Sequence, residues 1–419
     1  MVPDHIPWEK PDIREKMLGH ISQVGSDITF THYFWKGCEP DEHELKRYRL
    51  YAESMLLLKE GRTIAGIART TGVKANSVRK WTRFEQKPKL AYYLGLYIQL
   101  GKPREAWVWL GVDNSSGHAI PFGPFVQVPK SISSWKDVPD VILQLSDQRE
   151  ETEGFPNEYI FGFLLGMVTG DCAKSRSSNW HRHLGLVLSK KYASNESIGE
   201  FTSFCARSLG LRMHRVSDQP KPERKPHGFY QWVSQASPLI DWFFNIGLGL
   251  GDGERTTYDA VRMDWTVDTP ENFRRGLVQG IAESDGSVSI ASQTVEFWIG
   301  PNWDFYKKIL RSLGVASFRN REALSVTKNQ IRNLAKIPPF APHLKTVRWV
   351  RFEKLAKAGH IGHRKRVPPE IRDYIKRSDK DLSVPQLSEK VLDEFGVLLS
   401  FETVQRWAKK RANWRSSCA

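Results

Sequence analysis

Two stretches of the sequence align with each other without a gap: Gly162-Phe-Leu-Leu-Gly-Met-Val-Thr-Gly170-Asp171 and Gly276-Leu-Val-Gln-Gly-Ile-Ala-Glu-Ser284-Asp285. In both, a small residue recurs at every fourth position and an aspartate follows the last one, and the copies are 114 residues apart. Residues four apart share one helix face, so each copy predicts a helix with a stripe that lacks large side chains. The stripe residues are Gly162, Gly166, Gly170, Gly276, Gly280 and Ser284.

Five glycines in two helices lower helix stability. Glycine is less favourable than alanine in a helix interior by about 1 kcal/mol, so the five sacrifice on the order of 5 kcal/mol unless packing compensates. Two such helices can recover this loss by packing on each other, because bare backbones approach closer than the usual roughly 8–10 Å. We therefore predict that the helices pair and bring Asp171 and Asp285 together at their C-terminal ends.

Neighbouring carboxylates repel each other unless divalent cations lie between or beside them. Mg²⁺ prefers oxygen ligands, water and phosphate, and metal-bound water can attack a phosphodiester. Asp171 and Asp285 are therefore candidate catalytic residues and metal ligands, with Mg²⁺ or Mn²⁺ as the expected cofactor. The alternative is a glycine-rich helix pair that only joins two domains. Two aligned motifs that both end in aspartate disfavour this alternative.

The motifs resemble the nine-residue signature of the LAGLIDADG family, at Leu164–Cys172 and Val278–Gly286. The resemblance continues through residues 156–358, with similar segments in the same order in both copies. These are strand-like runs at Leu184–Leu188 and Val295–Ile299, helix ends at Arg207–Gly210 and Arg311–Gly314, strands at Tyr230–Val233 and Leu324–Val326, and helices at Pro238–Ile246 and Asn329–Lys336.

The resemblance implies an α+β fold with a pseudo-two-fold, duplicated αββαββα core. It also implies a saddle-shaped sheet that lies in the major groove of double-stranded DNA, with Asp171 and Asp285 at the metal-binding positions. Active family members place a lysine or arginine near the scissile phosphate, and Lys190 and Lys191 are the candidates here. Cys172 replaces the family's usual glycine and Thr169 replaces an acidic residue, but neither change removes a metal ligand.

The first copy has ten more residues than the second between its aspartate and its Leu-Gly pair. A DNA-contacting hairpin tip and a solvated loop are both open interpretations of these residues. The additional segment includes the basic and aromatic residues Lys174, Arg176, Trp180, His181, Arg182 and His183.

Both flanks have helix-turn-helix patterns. The first combines a helix at Glu42–Lys59 with two short helices around Gly72, and the second combines Val384–Phe395 with a helix that begins at Ser400 as N-cap. A plain three-helix packing unit is the alternative for each. Candidate DNA contacts on the second helix of each unit are Asn76, Ser77, Arg79, Lys80 and Arg83, and Glu402, Thr403, Gln405, Arg406 and Lys409.

The remaining segments complete the predicted domain organisation. Lys354–Arg366 is interpreted as a basic linker whose Arg364, Lys365 and Arg366 contact phosphate, with simple solvation as the alternative. The predicted domains are a segment 1–40, a helix-turn-helix domain 41–90, a small α/β connector 91–155, repeats 156–250 and 271–358 joined by a linker 251–270, and a C-terminal unit 359–419. Residues 1–40 and 91–155 suggest no function.

Composition supports a nucleic-acid partner. The chain has 62 Lys and Arg against 47 Asp and Glu, a net charge of +15, which favours a polyanion. Four cysteines without a CxxC pair argue against a disulfide framework or a zinc ribbon. No apolar run approaches the roughly 20 residues of a membrane span, and no signal-peptide pattern begins the sequence. We expect a cytoplasmic, nucleoid-associated monomer without an obligate protein partner.

The leading functional hypothesis is a metal-dependent, site-specific DNA endonuclease of the homing type. Because one chain supplies two non-identical halves, its target need not be palindromic. The alternative is a transcriptional regulator that binds DNA through the same scaffold and the helix-turn-helix units without cleavage. Family-related regulators typically lose the acids, so retention of both aspartates favours the nuclease. An RNA-splicing maturase shares the scaffold and stays open.

Overall fold

The computed structural model describes residues 42–82, 105–109, 125–129, 131–146, 154–178, 181–216, 228–235, 237, 239–251, 254, 259–360, 367–379 and 381–409. No helix in these ranges is both long and apolar enough to cross a membrane. The first unit consists of three helices: α1 (Glu42–Lys59), α2 (Ile64–Thr71) and α3 (Ala75–Thr82).

The turn between α2 and α3 is made by Gly72, which has a φ of 70°, in the left-handed region that glycine adopts without strain. Tyr51 of α1 and Trp81 of α3 are buried between the helices, with their ring centroids 5.7 Å apart. The predicted helix Glu42–Lys59 and the glycine turn are confirmed. A DNA-binding role for this unit stays a prediction.

The next segment packs on the first repeat. It consists of the antiparallel strands β1 (Glu105–Trp109) and β2 (Phe125–Pro129), a 3-10 turn at Trp135–Asp137 and helix α4 (Pro139–Ser146). Val126 and Leu145 belong to the same hydrophobic core as the repeats, and the Trp242 indole donates a hydrogen bond to the Pro129 carbonyl at 2.9 Å. The strands and the helix therefore extend the main core.

The first repeat has the predicted helix, two strands, helix, two strands, helix order. Its elements are α5 (Asn157–Thr169), β3 (Cys172–Ser178), β4 (His181–Ser189), α6 (Ser194–Ser208), β5 (Met213–Arg215), β6 (Phe229–Ser234) and α7 (Leu239–Trp242), which continues as a π-helical turn at Phe243–Gly247. The strands form one antiparallel sheet in the order β3-β4-β6-β5.

The second repeat has the same order and the equivalent sheet, β7-β8-β10-β9. Its elements are α8 (Glu271–Asp285), β7 (Gly286–Ser289), β8 (Thr294–Phe297), α9 (Trp303–Ser312), β9 (Phe318–Asn320), β10 (Ala323–Thr327) and α10 (Lys328–Lys336). The predicted α+β architecture with two copies of one topology is confirmed.

Each sheet packs one face on the helices and leaves the other more open. In β4, Leu184, Leu186 and Leu188 are buried, whereas Val187 between them is 50% exposed. Side chains alternate between the two faces of a strand, so β4 has one core face and one solvent-facing face. β8 alternates in the same way, with Val295 and Phe297 buried and Thr294 and Glu296 half-buried.

The C-terminal elements follow directly on the second repeat. They are α11 (Val347–Lys357), β11 (Gly359–His360), α12 (Pro369–Arg377), α13 (Val384–Phe395), β12 (Val397–Leu398) and α14 (Phe401–Ala408). The predicted helix Val384–Phe395 is confirmed, and Ser400 is the N-cap of α14, accepting a hydrogen bond from Thr403 N at 3.3 Å. α12, α13 and α14 enclose a small core of their own.

The prediction that a basic linker begins at Lys354 is wrong. Lys354 lies inside α11, and its ammonium donates to the Asp393 carboxylate of α13 at 2.6 Å. Further along, β11 pairs in parallel with β12 through Gly359 and Val397. The basic side chains at the start of this segment are therefore part of a packed junction, because the C-terminal helices fold back onto α11. Arg364, Lys365 and Arg366 lie outside the described residues.

Candidate active site

The site is built on the contact between α5 and α8. A Cβ added to Gly162 would lie 2.2 Å from the Phe273 carbonyl oxygen, and one added to Gly280 would lie 2.3 Å from the Phe163 carbonyl oxygen. Real side chains do not fit at such distances, so the two backbones touch at these positions and likewise at Gly166 and Gly276. Gly170, at the end of its stripe, lies against the Ser284 side chain of the opposite helix. The predicted pairing of the two helices is confirmed.

One polar contact crosses this otherwise apolar interface. The Tyr159 hydroxyl of α5 donates to the Gln279 side-chain oxygen of α8 at 2.5 Å, and the Gln279 amide donates to the Pro338 carbonyl at 2.8 Å. Both side chains are buried. Because buried polar groups are costly when unpaired, this chain of bonds selects one register of the two helices.

Asp171 and Asp285 lie at the same end of the helix pair. A Cβ at Gly170, the residue before Asp171, would lie 2.8 Å from the Asp285 Oδ2 atom. Burial, followed by the negative charge of Asp171, raises the pKa of Asp285 to about 7, and burial also raises the pKa of Asp171. Both carboxylates are disfavoured as anions, so a bound cation would be stabilised between or beside them.

Arg348 is the cation that faces both acids. Its guanidinium donates to the carbonyl oxygens of Glu283 and Ser284, the latter at 3.3 Å, at the C-terminal end of α8. Its positive charge lowers the pKa of Asp171 and of Asp285, against the larger effect of burial. Sequence reasoning missed Arg348, because it lies 65 residues beyond Glu283 and no motif marks it.

Glu283 holds the segment that carries Arg348. Its buried carboxylate accepts hydrogen bonds from Ala341 N at 3.0 Å and from the Thr346 hydroxyl at 3.3 Å. Burial raises the pKa of Glu283 to about 7, although the charge of Arg348 opposes the shift. The equivalent residue of the first repeat is Thr169, whose hydroxyl only bonds back to Leu165 of its own helix at 2.9 Å.

The predicted catalytic lysines follow β4. The Lys190 ammonium lies 5.2 Å from the centre of the Tyr230 ring, and the Lys191 ammonium lies 5.3 Å from the centre of the Tyr192 ring. Among the described residues, the charge that lowers the pKa of the two aspartates is that of Arg348 and not of a lysine. A catalytic role for Lys190 and Lys191 stays a prediction.

Lys174 is engaged inside the protein. Its ammonium donates to the Asp241 carboxylate at 2.9 Å and lies 5.4 Å from the centre of the Phe244 ring. Asp241 is fully buried, and an uncompensated buried carboxylate would be costly. Lys174 therefore neutralises a buried acid, and a contact between Lys174 and DNA stays a prediction.

The ten additional residues of the first repeat are not all in the β3–β4 hairpin. Half of the difference lies in the following helix, since α6 has 15 residues and α9 has 10. The hairpin is still the longer of the two, with strands of seven and nine residues against four and four. Arg176 and Arg182 are paired positions on it, and their side chains lie outside the described part.

The other predicted DNA contacts are divided between the two flanks. Asn76 and Arg79 of α3 are exposed, as are Glu402, Arg406 and Lys409 of the C-terminal unit. The half-buried candidates are Ser77, Lys80, Thr403 and Gln405, of which Thr403 shares a hydrogen bond of 2.9 Å with the Ser400 hydroxyl. Arg83 lies outside the described residues.

The acid pair fits a divalent metal with an open coordination shell. No group of three or more His, Cys, Asp or Glu side chains that could enclose a metal occurs within the described ranges. A cation here would have carboxylate oxygens from Asp171 and Asp285, completed by backbone oxygen, water and substrate phosphate. Mg²⁺ is usually bound in this way, through one or two carboxylates plus phosphate.

Comparison with known proteins gives structural neighbours only. No protein-family model and no curated protein matches the sequence. Similar solved structures include the homing endonuclease I-DmoI in complex with DNA and manganese, at 13% identity and a TM-score of 0.32 over 43% of this chain and 96% of that one. Another is the homing endonuclease I-WcaI bound to its DNA recognition sequence, at 11% identity and a TM-score of 0.33, covering 48% and 90% of the two chains.

The N-terminal LAGLIDADG domain of WhiA is also similar, at 12% identity and a TM-score of 0.28, over 49% of this chain and 94% of that domain. The solved structures similar to this chain thus include LAGLIDADG homing endonucleases and a WhiA domain, at low identity and over part of its length.

Proposed function

We propose that this protein is a Mg²⁺-dependent, site-specific endonuclease that hydrolyses double-stranded DNA. One observation carries the proposal: the backbone contact of α5 and α8 brings one aspartate from each repeat to a common site. A structural helix pair would not need a carboxylate at that position in both copies, because two like charges side by side destabilise the fold. A cation bound at this site would offset the repulsion between the two carboxylates.

The two repeats supply the elements that such a reaction requires. Asp171 and Asp285 would hold the cation, and each follows directly into the first strand of its own sheet. A bound divalent metal supplies a Lewis acid and lowers the pKa of an attacking water. Arg348 holds the end of α8 and so positions Asp285, while Lys190 and Lys191 are candidates for contacts with the scissile phosphate. The open faces of the two sheets would lie along the duplex, one on each side of the acid pair.

A second function, DNA binding without cleavage, is favoured by Arg348. Its guanidinium already places positive charge beside both acids, so the acid pair is partly neutralised without a metal. A regulator could retain the pair for this structural purpose alone. The two functions differ in one respect, which is whether Mg²⁺ converts a bound duplex into a cleaved one.

The test begins with selection of bound duplexes from a randomised library by the full-length protein in EDTA. Addition of Mg²⁺ to the selected complex should cleave the DNA. Asp171→Asn and Asp285→Asn should bind the same duplex and leave it intact, because an amide keeps the shape but is a poor metal ligand. Asp304→Asn is the matched control, since Asp304 is an exposed acid of α9 paired with Lys308, and it should cleave normally. Specific binding by the wild type without cleavage in Mg²⁺ would instead establish the regulator.

A further inference from the structure

The turn of the β7–β8 hairpin, residues 290–293, is covered by the C-terminal helices. Ile290, Ala291 and Gln293 are all buried, at 3%, 7% and 5% exposure. A hairpin turn normally lies at the surface, where water satisfies its backbone groups. We use the name C-terminal module for residues 367–409, which contain α12, α13, β12 and α14.

A single hydrogen bond joins the hairpin turn to the start of α14. The Gln293 side-chain amide donates to the Leu399 carbonyl at 3.0 Å in a buried environment. Leu399 is the residue immediately before Ser400, the N-cap of α14. The N-terminal end of α14 is therefore held directly beside the end of the hairpin.

Apolar packing and ion pairs strengthen this junction. Leu392 of α13 and Leu398 of β12 are buried in the same hydrophobic core as the second repeat, apart from the module's own core. Lys354 and Arg351 of α11 form ion pairs with Asp393 and Glu389 of α13. Together with the β11–β12 pairing, these contacts dock the module at a defined position, unlike a domain on a free tether.

The docked module presents a polar, cationic face of α14 to solvent. Val404 is buried in the module core and Trp407 packs against it. Glu402, Gln405, Arg406 and Lys409 occupy the opposite helical positions, and Arg406 and Lys409 are exposed. In helix-turn-helix proteins the second helix enters the major groove with its N-terminal residues towards the bases. On a chain with a net charge of +15, DNA is the partner that this face fits.

Resting on the proposed function, we propose that α14 extends the DNA-reading surface of the second repeat past the end of the β7–β8 hairpin. The second half of the protein would then read its half-site with the sheet and the adjacent duplex with α14, at a spacing set by the docked junction. Recognition would be asymmetric, with a rigid extension on the side of the second repeat.

Hydroxyl-radical footprinting of the full-length protein on its selected duplex tests this spacing. The wild type should protect a central region and a flank on one side. Insertion of about five base pairs between them turns the flank to the opposite face of the duplex, since one helical turn is about 10.5 base pairs. The inserted duplex should lose flank protection and keep central protection. A flank that stays protected after insertion would overturn the rigid extension and indicate a tethered module.

Charge-removing variants identify the contacting helix. Arg406→Ala/Lys409→Ala should lose flank protection, and the slope of log affinity against log salt should fall by about 1.8 if two phosphate contacts are lost. Lys307→Ala/Arg311→Ala removes two exposed charges from α9 and is the matched control, with unchanged protection. If the α14 variant retains the flank while folding normally, the inference fails and the central footprint still supports DNA binding. Absence of any footprint in the wild type would overturn both proposals.

Discussion

The two repeats are alike where they meet and different where they face the rest of the chain. Along the α5–α8 contact, glycine faces backbone in both copies, and an aspartate ends both stripes. Away from that contact, Thr169 corresponds to the buried Glu283, and Cys172 corresponds to Gly286. The first hairpin is longer, and the turn of the second is buried under the C-terminal module.

This difference shows which features the repeats are required to share. Close backbone contact allows only the smallest residues, so both copies retain the stripe. Residues outside the contact are free to diverge, because each meets a different neighbour. Under the proposed function, one shared site with two different peripheries would recognise two unlike half-sites.

The largest expected effect comes from breaking the shared part. Gly166→Ala places a Cβ 2.5 Å from the Leu277 carbonyl oxygen and 2.9 Å from Ile281 N, both backbone atoms that cannot move independently. We expect the free energy of unfolding to fall by about 3 kcal/mol or more, measured by chemical denaturation. Ser284→Ala lies in the same stripe and adds no atom, so its loss should stay below about 1 kcal/mol. Equal, small effects for both variants would contradict the close helix contact.

A second prediction concerns the residue after each aspartate. Gly286→Ala would place a Cβ 2.3 Å from the Ala282 carbonyl oxygen and 2.8 Å from the Phe340 ring, which should cost about 1–3 kcal/mol of stability. Cys172→Ala only removes a buried sulfur, so about 1 kcal/mol is expected. Thermal unfolding of the two variants under the same conditions measures this difference in stability. A larger loss of stability in Cys172→Ala than in Gly286→Ala would contradict this prediction.

Glu283 and Thr169 provide a third comparison at equivalent positions. Glu283→Ala leaves the buried Ala341 N without its hydrogen-bond acceptor, so we expect a loss of about 1–3 kcal/mol of unfolding free energy. Glu283→Gln keeps an acceptor oxygen and should recover most of that loss. Thr169→Ala removes only a bond to its own helix and should have the smaller effect. Chemical denaturation of all three variants would show whether Glu283 anchors the segment that carries Arg348.

The sequence predicted the parts of the fold that follow from local pattern. Glycines at every fourth position predicted the α5–α8 contact, and the aspartates at its end followed from the same helical geometry. The bounds predicted for α1 and α13 within the helix-turn-helix patterns also match the structure. The acid pair is therefore the part of the candidate site that sequence alone could predict.

Long-range contacts could not be predicted in this way. Arg348 follows the segment 341–346 that Glu283 holds, and neither an arginine nor a glutamate is unusual in a helix or a loop. Lys174 resembles a surface cation until Asp241 is known to be buried beside it. Lys354 resembles part of a basic linker until α13 folds back onto α11. Each of these outcomes depends on a partner that is distant in the sequence.

The smallest expected effect concerns the charge beside the acid pair. Arg348→Gln removes a positive charge that competes with a bound cation, while an amide can still donate to the carbonyls at the end of α8. We expect Mn²⁺ affinity to rise by up to about tenfold, which corresponds to about 1.4 kcal/mol. Titration of the DNA-free protein with Mn²⁺, monitored by electron paramagnetic resonance, measures this affinity. Weaker binding would mean that Arg348 organises the site more than it repels the metal.

The most direct test of the central claim is anomalous X-ray diffraction from crystals of the protein bound to its selected duplex in Mn²⁺. The shared-site account predicts a Mn²⁺ peak within coordination distance of the Asp171 and Asp285 carboxylates, with DNA phosphate oxygen completing the shell. A bound duplex with no peak at the two aspartates, and with Arg348 as their only cationic neighbour, would contradict it.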